Sequence, residues 1–126
     1  MEIIKNMESK RQQKFARMVQ KELGSIFQRD VKNLFGHAFI SVTTVRMSPD
    51  LSIAKVYLSI MMADDKQACL ENIVEKKSQI RKELGHRIGK ISRITPDLHF
   101  FIDDSVDYAQ KIEKLLKEIK SSPPVN

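Results

Sequence analysis

A dense set of basic side chains between positions 73 and 94 is the part of this sequence best suited to bind another molecule. Seven cations and two carboxylates give this stretch a net charge of +5, against +6 for the whole chain. The cations are Lys76, Lys77, Arg81, Lys82, Arg87, Lys90 and Arg93. Lysine and arginine make charge-assisted hydrogen bonds to phosphate oxygens. The stretch therefore predicts a surface that binds polyanions, nucleic acid above all.

A second row of cations recurs at helical spacing near the N-terminus. The positions i, i+4, i+7 and i+11 fall within an arc of about 60° on a helix. The members of this row are Lys10, Lys14, Arg17 and Lys21. They lie opposite an apolar stripe that contains Phe15, Val19 and Leu23, so they form either a solvated helix face or a second phosphate contact. Like charges four residues apart are mildly unfavourable on a helix, which favours the second interpretation.

Acidic and histidine side chains farther along the chain allow an alternative, a metal-dependent nuclease. Asp97, His99 and Asp103 share one face of an extended strand. However, Asp103 and Asp104 are better explained as residues that cap the helix after that strand. We therefore predict a protein that is not an enzyme, has no catalytic residues, and uses no metal or other cofactor.

Length and composition limit the class of protein further. The 126 residues suffice for one domain with its own core, predicted over 1–120, with a short flexible tail over 121–126. No apolar run approaches the ~20 residues of a membrane span, and the first residues do not form a signal peptide. The single cysteine, Cys69, suits a reducing compartment. We expect a cytoplasmic protein that does not bind membranes, and a monomer, because no apolar stripe is left without a partner.

Hydrophobic periodicity predicts the elements that position these charges. A capping box, Ser9 with Gln12, begins the first helix, and the turn residues 48–50 separate two strand-like runs. The predicted strands run over 38–47, 51–61 and 98–103. The other predicted helices run over 63–73, through the basic stretch 73–94 to the stop at Pro96, and from about 105 to 119. The side chains expected to face the core from the last two helices are Ile80, Leu84, Ile88, Ile91, Val106, Ala109, Ile112, Leu116 and Ile119.

The predicted order of elements indicates an α+β fold. The link from the second strand to the third is long enough for a crossover, so the third strand should run parallel to a neighbour. Three strands with helices on one face form a two-layer domain. Most aromatic side chains fall on core stripes, so we expect little stacking against nucleic-acid bases.

Four segments of the sequence resemble segments of one protein family, and they follow each other in the family's order and at its spacing. They span residues 41–51, 54–59, 80–85 and 93–105, and the last, Arg93-Ile94-Thr95-Pro96-Asp97-Leu98-His99-Phe100-Phe101-Ile102-Asp103-Asp104-Ser105, is the most specific. Together they resemble bacterial ribosome-binding factor A over roughly residues 9–119. The resemblance implies a type II KH-like domain, α-β-β-α-α-β with an added C-terminal helix and a three-stranded mixed sheet. Other KH domains grip RNA with a Gly-x-x-Gly loop. This family has Ala-x-Gly at a kink there, and this chain has Lys76-Lys77-Ser78.

The resemblance also implies a function. Members are cytoplasmic assembly factors that bind the free 30S ribosomal subunit and 16S rRNA, assist late 30S maturation including 16S rRNA 5′-end processing, and leave before translation. They have no small-molecule substrate. The alternatives are a generic KH-like protein that binds single-stranded nucleic acid, and a protein-interaction module with an incidental basic surface. The predicted RNA contacts are the seven cations of the stretch 73–94, the four cations of the N-terminal row, and Ser78, Arg46 and Lys55.

Overall fold

Four α-helices and three β-strands, joined by turns and loops, make up the described part of the chain. The computed structural model describes residues 8–121, apart from the side chains of 32, 106–109 and 120–121. The elements are α1 (Lys10–Ser25), β1 (Phe39–Met47), β2 (Ile53–Met61), α2 (Lys66–Glu75), α3 (Lys77–Ile88), β3 (Asp97–Ile102) and α4 (Ser105–Ser121), with a π-helical turn (Ile26–Asp30) and a 3-10 turn (Lys32–Phe35) after α1. The predicted order is confirmed. Residues 122–126, most of the predicted tail, lie outside the described residues.

β2 is the central strand of a three-stranded mixed sheet. It pairs antiparallel with β1 and parallel with β3. The parallel pairing confirms the predicted crossover, because α2 and α3 occupy the connection between β2 and β3. The capping box that begins α1 is also present, with Ser9 and Gln12 bonded to each other's backbone. None of the helices within residues 8–121 is long and apolar enough to cross a membrane.

The core lies between one face of the sheet and the helices α1, α2 and α3. The alternation along β2 buries Ala54, Val56 and Leu58 completely. A bulge between Val42 and Thr44 shifts the alternation of β1, so that Ile40 before it and Val45 after it both face inward. The helices contribute the fully buried side chains Val19, Leu23, Ile73, Ile80, Leu84 and Ile88. Each fully buried aliphatic side chain of this size favours folding by about 1.5–3 kcal/mol.

The helix that carries the basic stretch is shorter than predicted. The expected helix ran to Pro96 with Ile91 on its buried stripe, but α3 ends at Ile88 and Ile91 is 73% exposed. The N–H groups of Ile91 and Ser92 both donate to the Ile88 carbonyl at 2.8 Å, which ends the helix. Residues 89–96 therefore form a loop, and only the first three residues of the predicted stripe reach the core.

The last helix is also exposed where the sequence predicted burial. Ile112, Leu116 and Ile119 are 39%, 51% and 71% exposed, and α4 does not pack extensively against any other described element. The other two predicted core residues, Val106 and Ala109, have side chains outside the described residues. The prediction was wrong for the three described residues because periodicity shows that a helix is amphipathic but not what its apolar side contacts.

Removing the chain from residue 110 onward is therefore expected to change the free energy of unfolding by less than about 1 kcal/mol, because exposed positions contribute little to stability. All side chains from 110 to 119 are exposed. Ser105 should be kept, since its N–H donates to Asp103 at 3.0 Å. Urea denaturation of the full and shortened chains measures the difference. A loss above about 2 kcal/mol would show that α4 packs on the rest of the fold.

The hairpin turn has a carboxylate at its centre. Asp50 accepts hydrogen bonds from the hydroxyl groups of Ser52 at 2.7 Å and Ser48 at 2.8 Å. These bonds, that from Ser52 first, lower the pKa of Asp50 from 3.8 to about 2. The turn predicted from Ser48, Pro49 and Asp50 is thus confirmed.

The lowered pKa predicts how the turn responds to acid. The ionised carboxylate favours folding, so its contribution is fully present above the unfolded pKa of 3.8 and is lost as pH falls towards about 2. An NMR titration of the Asp50 carboxyl carbon should give a midpoint near 2, and Ser52→Ala should raise it. A midpoint near 3.8 in the unmodified protein would contradict the hydrogen-bonded turn.

Candidate nucleic-acid interface

The two paired helices α2 and α3 are separated by a single residue. Lys76 has φ −92° and ψ 10°, a conformation open to non-glycine residues. Its N–H donates to the carbonyls of Asn72 and Ile73 at 3.1 Å, and its own carbonyl accepts from the N–H of Ile80 at 3.0 Å. The interruption between α2 and α3 at Lys76 therefore needs no glycine. It falls within the segment 76–78 where the family resemblance indicated a kink.

Five of the predicted RNA-binding residues line one shallow cleft beside α3, which we call the α3 cleft. They are Lys77, Ser78, Arg81, Lys82 and Arg93. The cleft has a volume of about 460 Å³ and is completed by Gly85, Thr95 and Asp97. A side-chain carbon on Gly85 would lie only 3.1 Å from Thr95 Oγ1, so glycine lets the loop 89–96 approach the helix. That approach brings Arg93 to the cations of α3.

Arg81 has a structural role in this cleft. Its guanidinium donates to the backbone carbonyls of Thr95 at 2.8 Å and Pro96 at 3.1 Å. These bonds hold the end of the loop against α3 and leave the positive charge of Arg81 unneutralised, because its partners are uncharged. Arg81 thus both shapes the α3 cleft and contributes to its positive potential.

One carboxylate reduces the charge at the edge of the α3 cleft. Asp97 lies 3.0 Å from Lys77 Nζ and 3.0 Å from His99 Nε2. The hydrogen bond from Lys77, followed by that from His99, lowers the pKa of Asp97. By contrast, Lys82 and Arg93 are exposed, and neither forms an ion pair with any carboxylate of residues 8–121. They are the cations of the cleft most available to phosphate.

Asp103, one of the side chains considered for the nuclease alternative, is hydrogen-bonded within the fold. Asp103 Oδ2 accepts from the Thr43 hydroxyl at 2.6 Å and Oδ1 from the Ser105 N–H at 3.0 Å, as expected of a cap for α4. The hydrogen bond from the Ser105 side chain, then that from Thr43, then that from the Ser105 N–H, lowers the pKa of Asp103. In the part of the chain that the structure describes, no three His, Cys, Asp or Glu side chains are grouped to hold a metal ion.

The cation row of α1 is divided between two clefts. Lys10 and Lys14 line a cleft of about 490 Å³ together with Ile91 and Ser92 of the loop 89–96. Arg17 and Lys21 line a separate cleft of about 590 Å³. Because Ser92 borders the Lys10 cleft and Arg93 borders the α3 cleft, the loop joins these two basic surfaces.

Two further arginines belong to these surfaces and were not among the predicted residues. Arg11 lines the cleft that contains Lys10, and Arg29 lines the one that contains Lys21. Arg11 lies about 100° from Lys10 around the helix, outside the arc used for the prediction. Arg29 lies in the π-helical turn, which periodicity does not predict. A count of all cations on and after α1 would have included both.

Arg87, also predicted to bind RNA, instead forms ion pairs with two carboxylates of the same fold. Its guanidinium donates to Asp30 at 2.8 Å and to Glu22 at 3.3 Å, and its side chain is 27% exposed. The hydrogen bond to Asp30, more than that to Glu22, raises the pKa of Arg87 against the opposing effect of desolvation. The two ion pairs connect α3 to α1 and to the π-helical turn, so we leave Arg87 out of the proposed interface.

The two hairpin cations lie on the opposite side of the sheet from the core. Arg46 on β1 and Lys55 on β2 are Cα partners, and both are exposed. Arg46 lies 3.4 Å from Glu8, whereas Lys55 forms no ion pair with any other described residue. These residues are therefore distant in the fold from the core side that carries α3.

Known proteins resemble this chain in sequence and in fold. The family model for ribosome-binding factor A matches residues 11–116. Ribosome-binding factor A of Cytophaga hutchinsonii is 52% identical over 113 residues, which are 90% of this chain and 85% of that protein. The crystal structure of the Thermus thermophilus factor is 19% identical with a TM-score of 0.59, over 72% of this chain and 94% of that one.

A second similar structure was fitted into a map of a 30S complex. It is a homology model of the Thermus thermophilus factor fitted into a cryo-EM map of a 30S complex, 21% identical with a TM-score of 0.56. It covers 71% of this chain and 91% of that one. The family match over most of the chain and the 52% identity show that this protein belongs to the ribosome-binding factor A family.

Proposed function

We propose that this protein is a non-enzymatic assembly factor that binds the free 30S ribosomal subunit through 16S rRNA. It assists late maturation of the 30S subunit, including processing of the 5′ end of 16S rRNA. It acts in the cytoplasm as a single-domain monomer over residues 1–120. Family membership and the fit of a relative into a map of a 30S complex support this proposal.

The observation that carries the proposal is the α3 cleft. Three of its four cations, Arg81, Lys82 and Arg93, are exposed. The opposite stripe of α3, Ile80, Leu84 and Ile88, is completely buried. The positive charges are therefore held at defined positions by a packed core. Lysine and arginine at fixed positions bind phosphates and set orientation, but they read few bases. This arrangement suits folded rRNA recognised by shape and charge.

The interface that we propose begins at the α3 cleft and crosses the loop 89–96 to α1. Its members are Lys76, Lys77, Ser78, Arg81, Lys82, Lys90 and Arg93, with Lys10, Lys14, Arg17 and Lys21 as the second contact. Arg11 extends the same surface. No proton transfer or bond cleavage is required of these residues. The protein acts by holding a local rRNA conformation until maturation is complete.

Co-sedimentation with purified 30S, 50S and 70S particles and with naked oligonucleotides tests this function at two salt concentrations. Among the ribosomal particles, we expect retention on the 30S subunit and not on the 50S or 70S particles. Tight binding to the oligonucleotides without binding to the 30S subunit would instead favour a generic single-strand binder. Partners that survive nuclease treatment would favour a protein-interaction module and overturn the proposal.

The electrostatic part of the proposal predicts a steep response to salt. If six to eight phosphates are neutralised, the logarithm of the RNA association constant should fall against log salt with a slope of about −4 to −7. The physical reason is the release of counterions condensed on the RNA. Affinity for 30S particles measured from low to physiological salt gives the slope. A flat response would contradict an interface built from cations.

A further inference from the structure

We propose that the open face of the sheet is a second RNA contact, which stacks unpaired bases on the rings of Tyr57 and Phe101. This inference rests on the proposed function, because it names a further part of the RNA ligand. The open face is the side of the sheet away from α1, α2 and α3. The sequence predicted little base stacking by this protein, since most aromatic residues fall on core stripes.

The two rings form a stacked pair on the open face of the sheet. Tyr57 on β2 and Phe101 on β3 are Cα partners in the parallel ladder. Their ring centroids are 5.3 Å apart and their planes differ by 26°. Phe101 is 40% exposed and Tyr57 is half-buried. Since alternate residues of a strand point to opposite faces, the buried neighbours Val56 and Phe100 direct these two rings outward.

A row of basic side chains crosses the sheet next to the rings. Arg46, Lys55 and His99 are successive Cα partners on β1, β2 and β3. This row lies two residues, or about 7 Å, along the strands from Tyr57 and Phe101. All three residues are exposed. The face thus combines an aromatic platform with two cations, Arg46 and Lys55, that can bind the phosphates of a nucleotide stacked on it.

Carboxylates at the margins of this face orient the ligand. Asp103, held by Thr43 and by the N–H of Ser105, lies beyond Phe101 at the end of β3. Asp97, at the start of β3, already contacts His99 and Lys77. Phosphates are repelled from the Asp103 end and attracted towards Lys55. The RNA backbone should therefore cross the sheet over the basic row, with its bases on the rings.

The chemistry of the face favours RNA over a protein partner. Aromatic rings stack on any base, because every base has a π-face, and adjacent cations complement the phosphate charge. The ligand must be unpaired, since bases inside a duplex are already stacked on their neighbours. The α3 cleft, which presents cations without an exposed ring, has no such requirement.

The test uses the full chain, a fluorescent eight-nucleotide oligouridylate and an RNA duplex, in anisotropy titrations at low salt. Replacing both Tyr57 and Phe101 with leucine keeps apolar side chains but removes the rings. We expect about a tenfold or larger loss of affinity for the oligonucleotide and little change for the duplex. The matched control is Phe39→Leu, which removes a ring that is 47% exposed on another part of the same face.

A Lys55 variant and an NMR measurement test the same inference without depending on whether the double ring variant folds. Lys55→Gln should weaken oligonucleotide binding several-fold without changing the thermal midpoint, because Lys55 is exposed. In the unmodified protein, the ring protons of Tyr57 and Phe101 should shift upfield in NMR spectra when the oligonucleotide binds. Unchanged affinity in the double variant, or no shift on binding, would overturn the inference.

Failure of this inference differs from failure of the proposed function. If the unmodified protein binds the 30S subunit but not the oligonucleotide, only the stacking site is wrong. If it binds the oligonucleotide but not the 30S subunit, the proposed function is wrong. If it binds neither, both are overturned. If the ring variant loses the oligonucleotide and keeps the duplex, the open face is established as the single-strand contact.

Discussion

Replacing Lys82 and Arg93 together with glutamate is expected to weaken binding to the 30S subunit by about a hundredfold, or tenfold for each reversed charge. Both side chains line the α3 cleft and are exposed. Each substitution removes an attraction to phosphate and introduces a repulsion. Because neither side chain is buried or paired with a carboxylate of residues 8–121, the thermal midpoint should remain nearly unchanged.

The salt dependence of 30S binding by the double variant shows whether Lys82 and Arg93 contact phosphates. Loss of two phosphate contacts should reduce the size of the log–log slope by about 2. The matched control is Lys114→Glu with Lys117→Glu, an equal change in charge at two exposed positions of α4. If the control weakens 30S binding as much as the cleft variant does, net charge and not the α3 cleft controls affinity.

Arg81 is less suitable for this test although it lines the same cleft. Its guanidinium supplies hydrogen bonds to two backbone carbonyls of the loop 89–96. Arg81→Glu would leave those carbonyls without their donors and would also reverse the charge. A loss of 30S binding in that variant would combine a change in the shape of the cleft with a change in its potential.

Leu84→Ala is expected to lower the free energy of unfolding by about 3 kcal/mol, within the 2–5 kcal/mol typical of buried leucine. Leu84 is completely buried at the centre of the α3 stripe. Its removal leaves a cavity between α3 and the sheet, and the surrounding side chains relax only in part. Urea denaturation, with the midpoint and the m value fitted together, measures the change.

Leu116→Ala is the matched control for that experiment. Leu116 also lies on a helix, but it is 51% exposed, so its truncation should change the free energy of unfolding by no more than about 0.5 kcal/mol. Equal losses in the two variants would mean that α4 buries its apolar side in solution. The pair of variants therefore tests both the core beneath the basic face and the exposed position of α4.

Leu84→Ala and the charge reversals should also differ in how they affect RNA binding. A domain with a stability of about 5–15 kcal/mol remains folded at 25 °C after losing about 3 kcal/mol. Leu84→Ala should therefore bind the 30S subunit normally at that temperature and lose binding only as it unfolds on heating. The Lys82 and Arg93 reversals should weaken binding at every temperature at which the protein is folded.

Local patterns predicted the framework of the interface well. The stripe Ile80, Leu84 and Ile88, the alternation of the strands and the turn at Asp50 are all confirmed. These features depend on which side of an element faces the core, and the period of apolar residues records that directly. The length of α3 was overestimated, because the hydrogen bonds that end it at Ile88 leave no strong signal in the sequence.

The partners of individual side chains could not be predicted in the same way. Arg87 and Lys82 both belong to the basic stretch, yet Arg87 is paired with Glu22, 65 positions earlier in the chain, and with Asp30. Similarly, Tyr57 and Phe101 become neighbours only because β2 and β3 pair in parallel at one register. A shift of one residue in that register would have turned one ring towards the core.

The amino-acid sequence by itself determined that this chain folds into an α+β layer with basic residues concentrated on and after α3, and its four matching segments indicated the family. Only the tertiary structure decided which cations share a cleft, that Arg87 is paired with two carboxylates inside the fold, and that the rings of Tyr57 and Phe101 stack near Lys55. The physical reason is that burial repeats with the period of a helix or strand. Contacts between distant residues instead depend on how whole elements pack together.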